Sequence, residues 1–431
     1  MFPIVEFVTV FGTFFALIGL GLAIPFSIAV SGLLYLFFFD GLTAFKALGL
    51  ISWGGMDSFT LTAAPLFIFM ADILQKSGLG LRIYDGMAKL VVKVPGGLLQ
   101  TNIVSCALFG GASGSSVATA VAIGGVALPE LERRKYEPKI SAGSIAAGGT
   151  LGILLPPSIP MIIYGSVTET SVAQLFMGGV VPGLLLAAMF MGYIAMRARM
   201  DRSLAPEEAG PKNFAEILLA IGNVLPFLGL MGGILLVMYL GLMTPTEAAA
   251  AGVILASIVA KIWGNLTWAT FSAALSSTVR TSANLLFIIF AAMILSYAIG
   301  RAGIGEALTE YIVSLGLSKW QLFGVLLVVY VLMGCFLESM SLILITVPLI
   351  FPVLMAYGVD PIWFGIMLMI IIELGQITPP LGINLFVIKS IWHGSLGQVV
   401  RGTVPFYSVF LLLIVVLTLI PGLVTWLPGL M

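Results

Sequence analysis

LGILLPPSIPM (Leu151–Met161) and LGQITPPLGIN (Leu374–Asn384) each set two prolines in the middle of an apolar stretch, 223 positions apart. Proline removes a backbone donor and disfavours helix in the residue before it, so a Pro-Pro pair opens a helix and frees carbonyls. The same shift, without gaps, lays Gly111–Pro182 over Gly334–Pro405, with 12 of 72 positions identical. Each window holds six prolines and five coincide: Pro129/Pro352, Pro138/Pro361, Pro156/Pro379, Pro157/Pro380 and Pro182/Pro405. Gly111/Gly334, Ser116/Ser339 and Gly152/Gly375 fall on the same shift, and upstream GLAIPFSIAVSG (Gly21–Gly32) resembles GLMTPTEAAAAG (Gly241–Gly252). The two halves of the chain are copies of one unit.

Composition says where that unit works. Of 431 residues, 60% are apolar and 9% charged, with a mean hydropathy of +1.15. A soluble domain carries about a quarter of its residues charged, so this chain belongs in a bilayer. A hydrocarbon core of about 30 Å takes about 20 helical residues, and an open sheet there would leave backbone groups unpaired. The 19 basic and 19 acidic residues balance, which gives no hint of nucleic acid. Cys106 and Cys335 form no disulfide framework or clustered metal-ligand pattern. MFPIVEF lacks the basic start of a cleaved signal peptide.

The expected fold is an all-α polytopic membrane protein. Full spans are read at Pro3–Gly21, Leu22–Phe39, Phe59–Leu74, Ile140–Val167, Leu175–Met196, Ile217–Leu240, Thr246–Ile262, Ala283–Ile299, Ile362–Ile391 and Pro405–Leu427. Pro95–Leu128 and Lys319–Tyr357 are interrupted by GGASGSS (Gly110–Ser116) and GCFLESMS (Gly334–Ser341). If these two enter and leave on one side as re-entrant hairpins, 16 of the 19 basic residues fall on a single face, and only Lys46, Arg301 and Lys319 lie opposite. The positive-inside bias makes the rich face cytoplasmic and puts both termini in the periplasm. The hairpins then enter from opposite sides, so the repeats are inverted, a signature of secondary transporters. The first repeat spans 1–200, with an amphipathic arm at 81–93, hairpin 95–128 and broken helix 140–167. A cytoplasmic linker at 201–216, overlapping the polar RARMDRSLAPEEAGPKN (Arg197–Asn213), leads to the second repeat at 217–431. That repeat has its arm at 304–317, hairpin at 319–357 and broken helix at 362–391.

In each half the hairpin tip and the Pro-Pro break should meet near mid-membrane, where irregular backbone survives only if it is packed in protein or lines a cavity. Freed carbonyls and hydroxyls are hard oxygen ligands, suited to Na⁺, and helix N-termini present amides to a carboxylate. The cation residues are Ser115, Ser116, Gly149, Gly152 and Pro156 in one half, and Ser339, Ser341, Gly375, Thr378 and Asn384 in the other. The substrate residues are Ser113, Gly114, Ser158, Glu338, Met340, Pro380 and Gly382.

GASGSSVAT (111–119), LGILLPPSIPMIIYG (151–165), LFMGGVVPG (175–183) and ELGQITPPLGINLFV (373–387) resemble the large membrane subunit of tripartite ATP-independent periplasmic (TRAP) transporters, over essentially the whole chain. The resemblance implies an elevator-type, Na⁺-coupled importer of a small organic acid in the bacterial inner membrane. It also implies a periplasmic substrate-binding protein and a separate small membrane subunit of four helices. Glu338 stands where the family often has Asp. No G-x-x-x-x-G-K-[ST] stretch is present, so an ion gradient is expected to drive transport.

Other groups carry competing readings. Glu373 lies inside a span, where a carboxylate is functional or is held by its neighbours in the Pro-Pro turn. Asp72 snorkels or pairs with Lys76 at i+4. Arg280 snorkels or meets a substrate carboxylate. Trp53, Trp263, Trp268 and Trp426 read as interfacial anchors. Three rival functions are a hairpin-type Na⁺/dicarboxylate symporter working without a receptor, a passive channel, and a rhomboid-like intramembrane protease. The protease would need His393, the only histidine, beside Ser113 of GASG.

Overall fold

The computed structural model of the chain describes residues 3–41, 44–206, 208, 210–211 and 213–431, leaving out the side chains of 47, 52, 55 and 56. Residues 1, 2, 42, 43, 207, 209 and 212, which fall in the expected first repeat and linker, lie outside the described residues. The first half contains α1 (Ile4–Phe7), α2 (Thr13–Gly19), α3 (Ile24–Tyr35), α4 (Phe45–Met56), α5 (Phe59–Lys76), α6 (Leu79–Val91), α7 (Leu98–Ser113), α8 (Ser116–Arg133), α9 (Pro138–Leu154), α10 (Ile159–Thr168) and α11 (Val172–Met200). The second contains α12 (Phe214–Tyr239), α13 (Pro245–Trp263), α14 (Trp268–Arg301), α15 (Ile304–Ser314), α16 (Lys319–Gly334), α17 (Ser339–Ala356), α18 (Pro361–Gln376), α19 (Ile383–Ile391), α20 (Leu396–Leu419) and α21 (Gly422–Thr425). Among the described residues there is no strand, and eight helical segments are long and apolar enough to cross a membrane.

The elements start and stop where local chemistry directs. Pro138 and Pro361 stand at the first position of α9 and α18, where a missing amide costs nothing. The residues before them, Glu137 and Asp360, accept hydrogen bonds from the amides of Ile140 (2.8 Å) and Trp363 (2.7 Å). These caps are themselves 223 positions apart, and so are both ends of α8 and α17. Lys135 and Gly358, again related by the shift, both turn at a φ of 62°.

Packing follows the same exchange of halves. Helix α7 lies on α9 as α16 lies on α18; α8 packs on α19 as α17 packs on α10; α9 meets α20 as α18 meets α11. Small residues permit the closest approaches, as expected where burial of apolar surface cannot by itself drive helices together in lipid. A Cβ on Gly402 would fall 1.9 Å from Lys139 O, and one on Gly143 2.2 Å from Gly402 O, so α9 and α20 touch backbone to backbone.

Three features depart from the expected spans. Helix α4 falls in a stretch read as a connection, because Lys46 and its glycines interrupt the apolar run. Helix α14 begins at Trp268 rather than Ala283, and α20 at Leu396 rather than Pro405. In both, a capping box (Thr267–Thr270, Ser395–Gln398) starts the helix in polar sequence before the apolar run begins. Helix α11 continues to Met200 and α12 begins at Phe214, so α12 starts inside the stretch read as linker.

The segment after α11 packs on the base of the first hairpin. Leu204 O accepts from Glu137 N (3.2 Å), and Arg134 pairs with Glu208. Tyr136 Oη accepts from Leu98 N (3.0 Å) and donates to Glu208 Oε1 (3.2 Å). Burial pushes the Tyr136 phenol up to about 12. Asp201 accepts from the Ser203 hydroxyl and amide, which holds its carboxyl below the usual range.

Candidate functional site

In the first half the tip between α7 and α8 turns at Gly114, with φ of 59°. Ser115 caps α8 by accepting from Ala118 N (3.3 Å), while its carbonyl accepts from Thr119 Oγ1 (2.8 Å). The Ser113 and Thr119 hydroxyls are 2.7 Å apart. The tip lies directly on the Pro-Pro break. A Cβ on Gly114 would sit 3.0 Å from Pro157 O, and one on Gly152 would sit 2.6 Å from Thr119 Oγ1 and 2.7 Å from Ser115 O. Gly149 faces Ser116 O at 3.2 Å by the same measure. Ser113, Gly114, Ser115, Ser116, Gly149, Gly152 and Pro156 are therefore gathered in one place. Thr119 belongs to this group and went unnamed, although four residues from Ser115 it had to share that face of α8.

The second half repeats the arrangement. Helix α16 ends at Gly334, and a Cβ on Gly375 would meet Gly334 Cα at 2.9 Å. Cys335 O accepts from Gly382 N (3.0 Å), which ties the tip to the end of the break. The Pro156–Pro157 and Pro379–Pro380 bonds are both cis. Ser339 and Ser341 lie buried in the first turn of α17, with Met340 between them half-buried. Thr378 turns its hydroxyl back onto Leu374 O (2.6 Å). Pro380 is exposed at the break.

The two halves join at α18. The Ser116 hydroxyl donates to Gln376 Oε1 (3.0 Å), a residue the sequence reading passed over although it adjoins Gly375. Glu373 is 1% exposed, and neither of its carboxylate oxygens accepts a hydrogen bond from the described residues. Its neighbours are the Ser116 hydroxyl, which stands close enough to bond to it but donates to Gln376 instead, and Glu338, one from each half. No residue of the Pro-Pro turn bonds to the carboxylate among the described residues. Both amide atoms of Asn384 and the Ser158 hydroxyl, each on a fully buried side chain just past a break, are likewise without a partner. A buried polar atom left unpaired in this way costs about 1–3 kcal/mol.

The departures from two-fold equivalence run both ways: Phe336, Leu342 and Leu381 replace Ser113, Thr119 and Ser158, while the second half gains polar groups elsewhere. Under the 223 shift Glu338 replaces Ser115 as N-cap of α17, Glu373 replaces Thr150, and Gln376 replaces Ile153. The Glu338 carboxylate lies beside the amides of Met340 and Ser341 at the start of α17, where a helix favours negative charge.

A cavity of about 420 Å³ lies between α5 and α14 on one side and α10 and α17 on the other. Its polar lining is Ser166, Ser296 and Tyr297; none of the residues assigned from sequence to cation or substrate lines it, and neither does a charged side chain. Asp72 departs from its expected pairing with Lys76. It accepts from Ser277 Oγ (3.1 Å) and Thr278 Oγ1 (2.8 Å), because α14 passes closer than the next turn of its own helix. Arg280, Trp53, Trp268 and Trp426 are exposed, and Trp263 is half-buried. His393 is exposed, and Ser113 bonds only within its own tip, so no Ser–His pair forms.

The chain is similar to known proteins over almost its whole length. Residues 11–423 match the family described as the tripartite ATP-independent periplasmic transporter, DctM component. The C4-dicarboxylate TRAP transporter large permease protein DctM of Pseudomonas aeruginosa is 33% identical over 405 residues, covering 94% of each chain. The sialic acid TRAP transporter large permease protein SiaM of Vibrio cholerae is 30% identical, covering 97% of this chain and 98% of its own. The crystal structure of the Alcanivorax borkumensis YdaH transporter shares the fold, with a TM-score of 0.64 at 17% identity over 91% of this chain and 90% of that one.

Proposed function

Because the chain belongs to the DctM component family of tripartite ATP-independent periplasmic transporters, a family of multi-pass membrane transporters, we propose that it is the Na⁺-coupled large subunit of an importer for a small organic anion. The substrate is delivered by a periplasmic binding protein, and a small membrane subunit, a separate chain of four helices, accompanies this one. Relatives named for C4-dicarboxylates and sialic acid support an organic acid as cargo. The chain resides in the bacterial inner membrane with both termini periplasmic, and consists of inverted repeats at 1–200 and 217–431 about the linker at 201–216.

The observation that carries this reading is the repeated meeting of a hairpin tip with a Pro-Pro break. In each half it gathers carbonyl and hydroxyl oxygens with helix N-termini at one point. One Na⁺ is held by Ser115, Ser116 and the carbonyls from Gly149 to Pro156. Another is held by Ser339, Ser341, Gly375, Thr378 and Asn384. Ser113, Gly114, Ser158, Glu338, Met340, Pro380 and Gly382 face the substrate. The hairpins and broken helices move as one body against the remaining helices, which act as scaffold, and α6 and α15 are the connecting arms. The cavity lined by Ser166, Ser296 and Tyr297 lies along that boundary.

The test is uptake into proteoliposomes containing this chain and its small membrane subunit, with the binding protein and candidate acids outside. Uptake should be concentrative, require inward Na⁺, and stop without the binding protein. Ser116→Trp or Ser339→Trp should abolish it while leaving expression intact. Unchanged uptake in both variants would refute the site, and uptake without a binding protein would favour a receptor-free symporter.

A further inference from the structure

On the membrane face of α5, α13 and α14 runs an apolar groove of about 540 Å³, away from the hairpin tips and the Pro-Pro breaks. Phe69 and Phe271 form one wall, edge to face at 5.5 Å, and Trp268 stacks on Phe271 at 5.8 Å. Ile254, Ile258 and Ile262 stand along the other wall at four-residue intervals, 63%, 49% and 63% exposed. Ser257 is the one uncharged polar residue of the lining, and its hydroxyl is already committed to Val253 O at 2.8 Å. The groove interior therefore offers an occupant no free donor and suits a purely apolar chain.

One end differs. Lys261 lines it, is exposed, and has no ion-pair partner among the described residues. Lys76, in the last turn of α5, lies at the same end, because Asn265 N donates to Ser77 O (2.9 Å) and pins the turn after α13 against α5. Asp72, the carboxylate that α5 turns toward α14, is occupied by Ser277 and Thr278. Trp263 and Trp268 flank this end, as tryptophans do at the level of lipid headgroups. From Lys261 the groove descends to Ile254, about 10 Å deeper at 1.5 Å per residue.

We propose that this groove holds an acyl chain of an anionic phospholipid whose headgroup pairs with Lys261. A cation at the headgroup level above an apolar, donor-free channel is the order in which a phospholipid presents its own charge and chain. A helix of a partner protein would need neither the unpaired lysine nor the open length of the channel.

The probe is phosphatidylglycerol against phosphatidylcholine of the same acyl chains, added to the full chain purified in mild detergent and counted by native mass spectrometry. One retained phosphatidylglycerol is expected, preferred about fivefold, the ratio that corresponds to about 1 kcal/mol for one lysine at an anionic surface. Lys261→Glu should erase the preference. Ile258→Trp, which fills the channel, should lose both lipids, whereas Leu255→Trp on the same helix but outside the lining should retain them. Equal retention in all variants would overturn the proposal. So would a cross-link from Ile258→Cys to the small membrane subunit in the assembled complex, which would make a protein the occupant.

Discussion

A carboxylate that is almost fully buried and accepts no hydrogen bond is one of the more expensive things a helix can carry, costing several kcal/mol even after relaxation. Glu373 is such a group, beside Ser116 of one half and Glu338 of the other. Under the Na⁺ coupling proposed above, Glu373 would act on cation binding. Glu373→Gln, which keeps the shape and removes the buried carboxyl, should therefore leave the thermal midpoint unchanged or raise it, while the Na⁺ concentration for half-maximal uptake rises by about tenfold, or about 1.4 kcal/mol. A lowered midpoint with unaltered Na⁺ dependence would make Glu373 structural. At this scale the sequence was informative where chemistry depends on backbone. Glycine, serine and proline at the breaks marked Ser115, Ser116 and Gly152, because a tight tip admits few other residues. It was less informative about side-chain partners. The bonds of Asp72 to Ser277 and Thr278 join residues about 200 positions apart, and no local spacing reports that.

Helices in this protein meet through absent side chains as much as through present ones. The α9–α20 crossing leaves Gly402 no room for a Cβ, while Gly125 on α8 has nothing within 4 Å. Gly402→Val should cost at least about 1–3 kcal/mol by overpacking and lower the unfolding temperature in detergent. Gly125→Ala should be neutral or slightly stabilising, by up to about 1 kcal/mol, because alanine is the better helix former. Similar losses at both sites would mean that the crossing is looser than described. Most elements were legible because apolar runs bounded by proline and glycine are unambiguous in a bilayer. The exceptions share a cause: capping boxes at Thr267 and Ser395 start α14 and α20 in polar sequence, and hydropathy alone misses a helix that begins outside the apolar run.

Over the whole molecule, one relation organises the rest. The ends of α8 and α17, the caps Glu137 and Asp360, the turns at Lys135 and Gly358 and the packing of six helix pairs all follow the same 223-residue shift. The duplication was legible from five prolines. The same shift sets Glu338, Glu373 and Gln376 against Ser115, Thr150 and Ile153, but that Gln376 meets Ser116 across the halves could be read only in space. Sidedness is the consequence that matters, because alternating access in secondary transporters is built on repeats of inverted topology. Arg133 and Ala356, the last residues of α8 and α17, are exposed and equivalent. In a chain with Cys106 and Cys335 replaced by serine, Arg133→Cys and Ala356→Cys can each be treated in sealed cells with a membrane-impermeant maleimide. Inverted repeats require that Ala356→Cys is labelled from outside and Arg133→Cys only after the membrane is opened; labelling of both from the same side would mean that the repeats are not inverted.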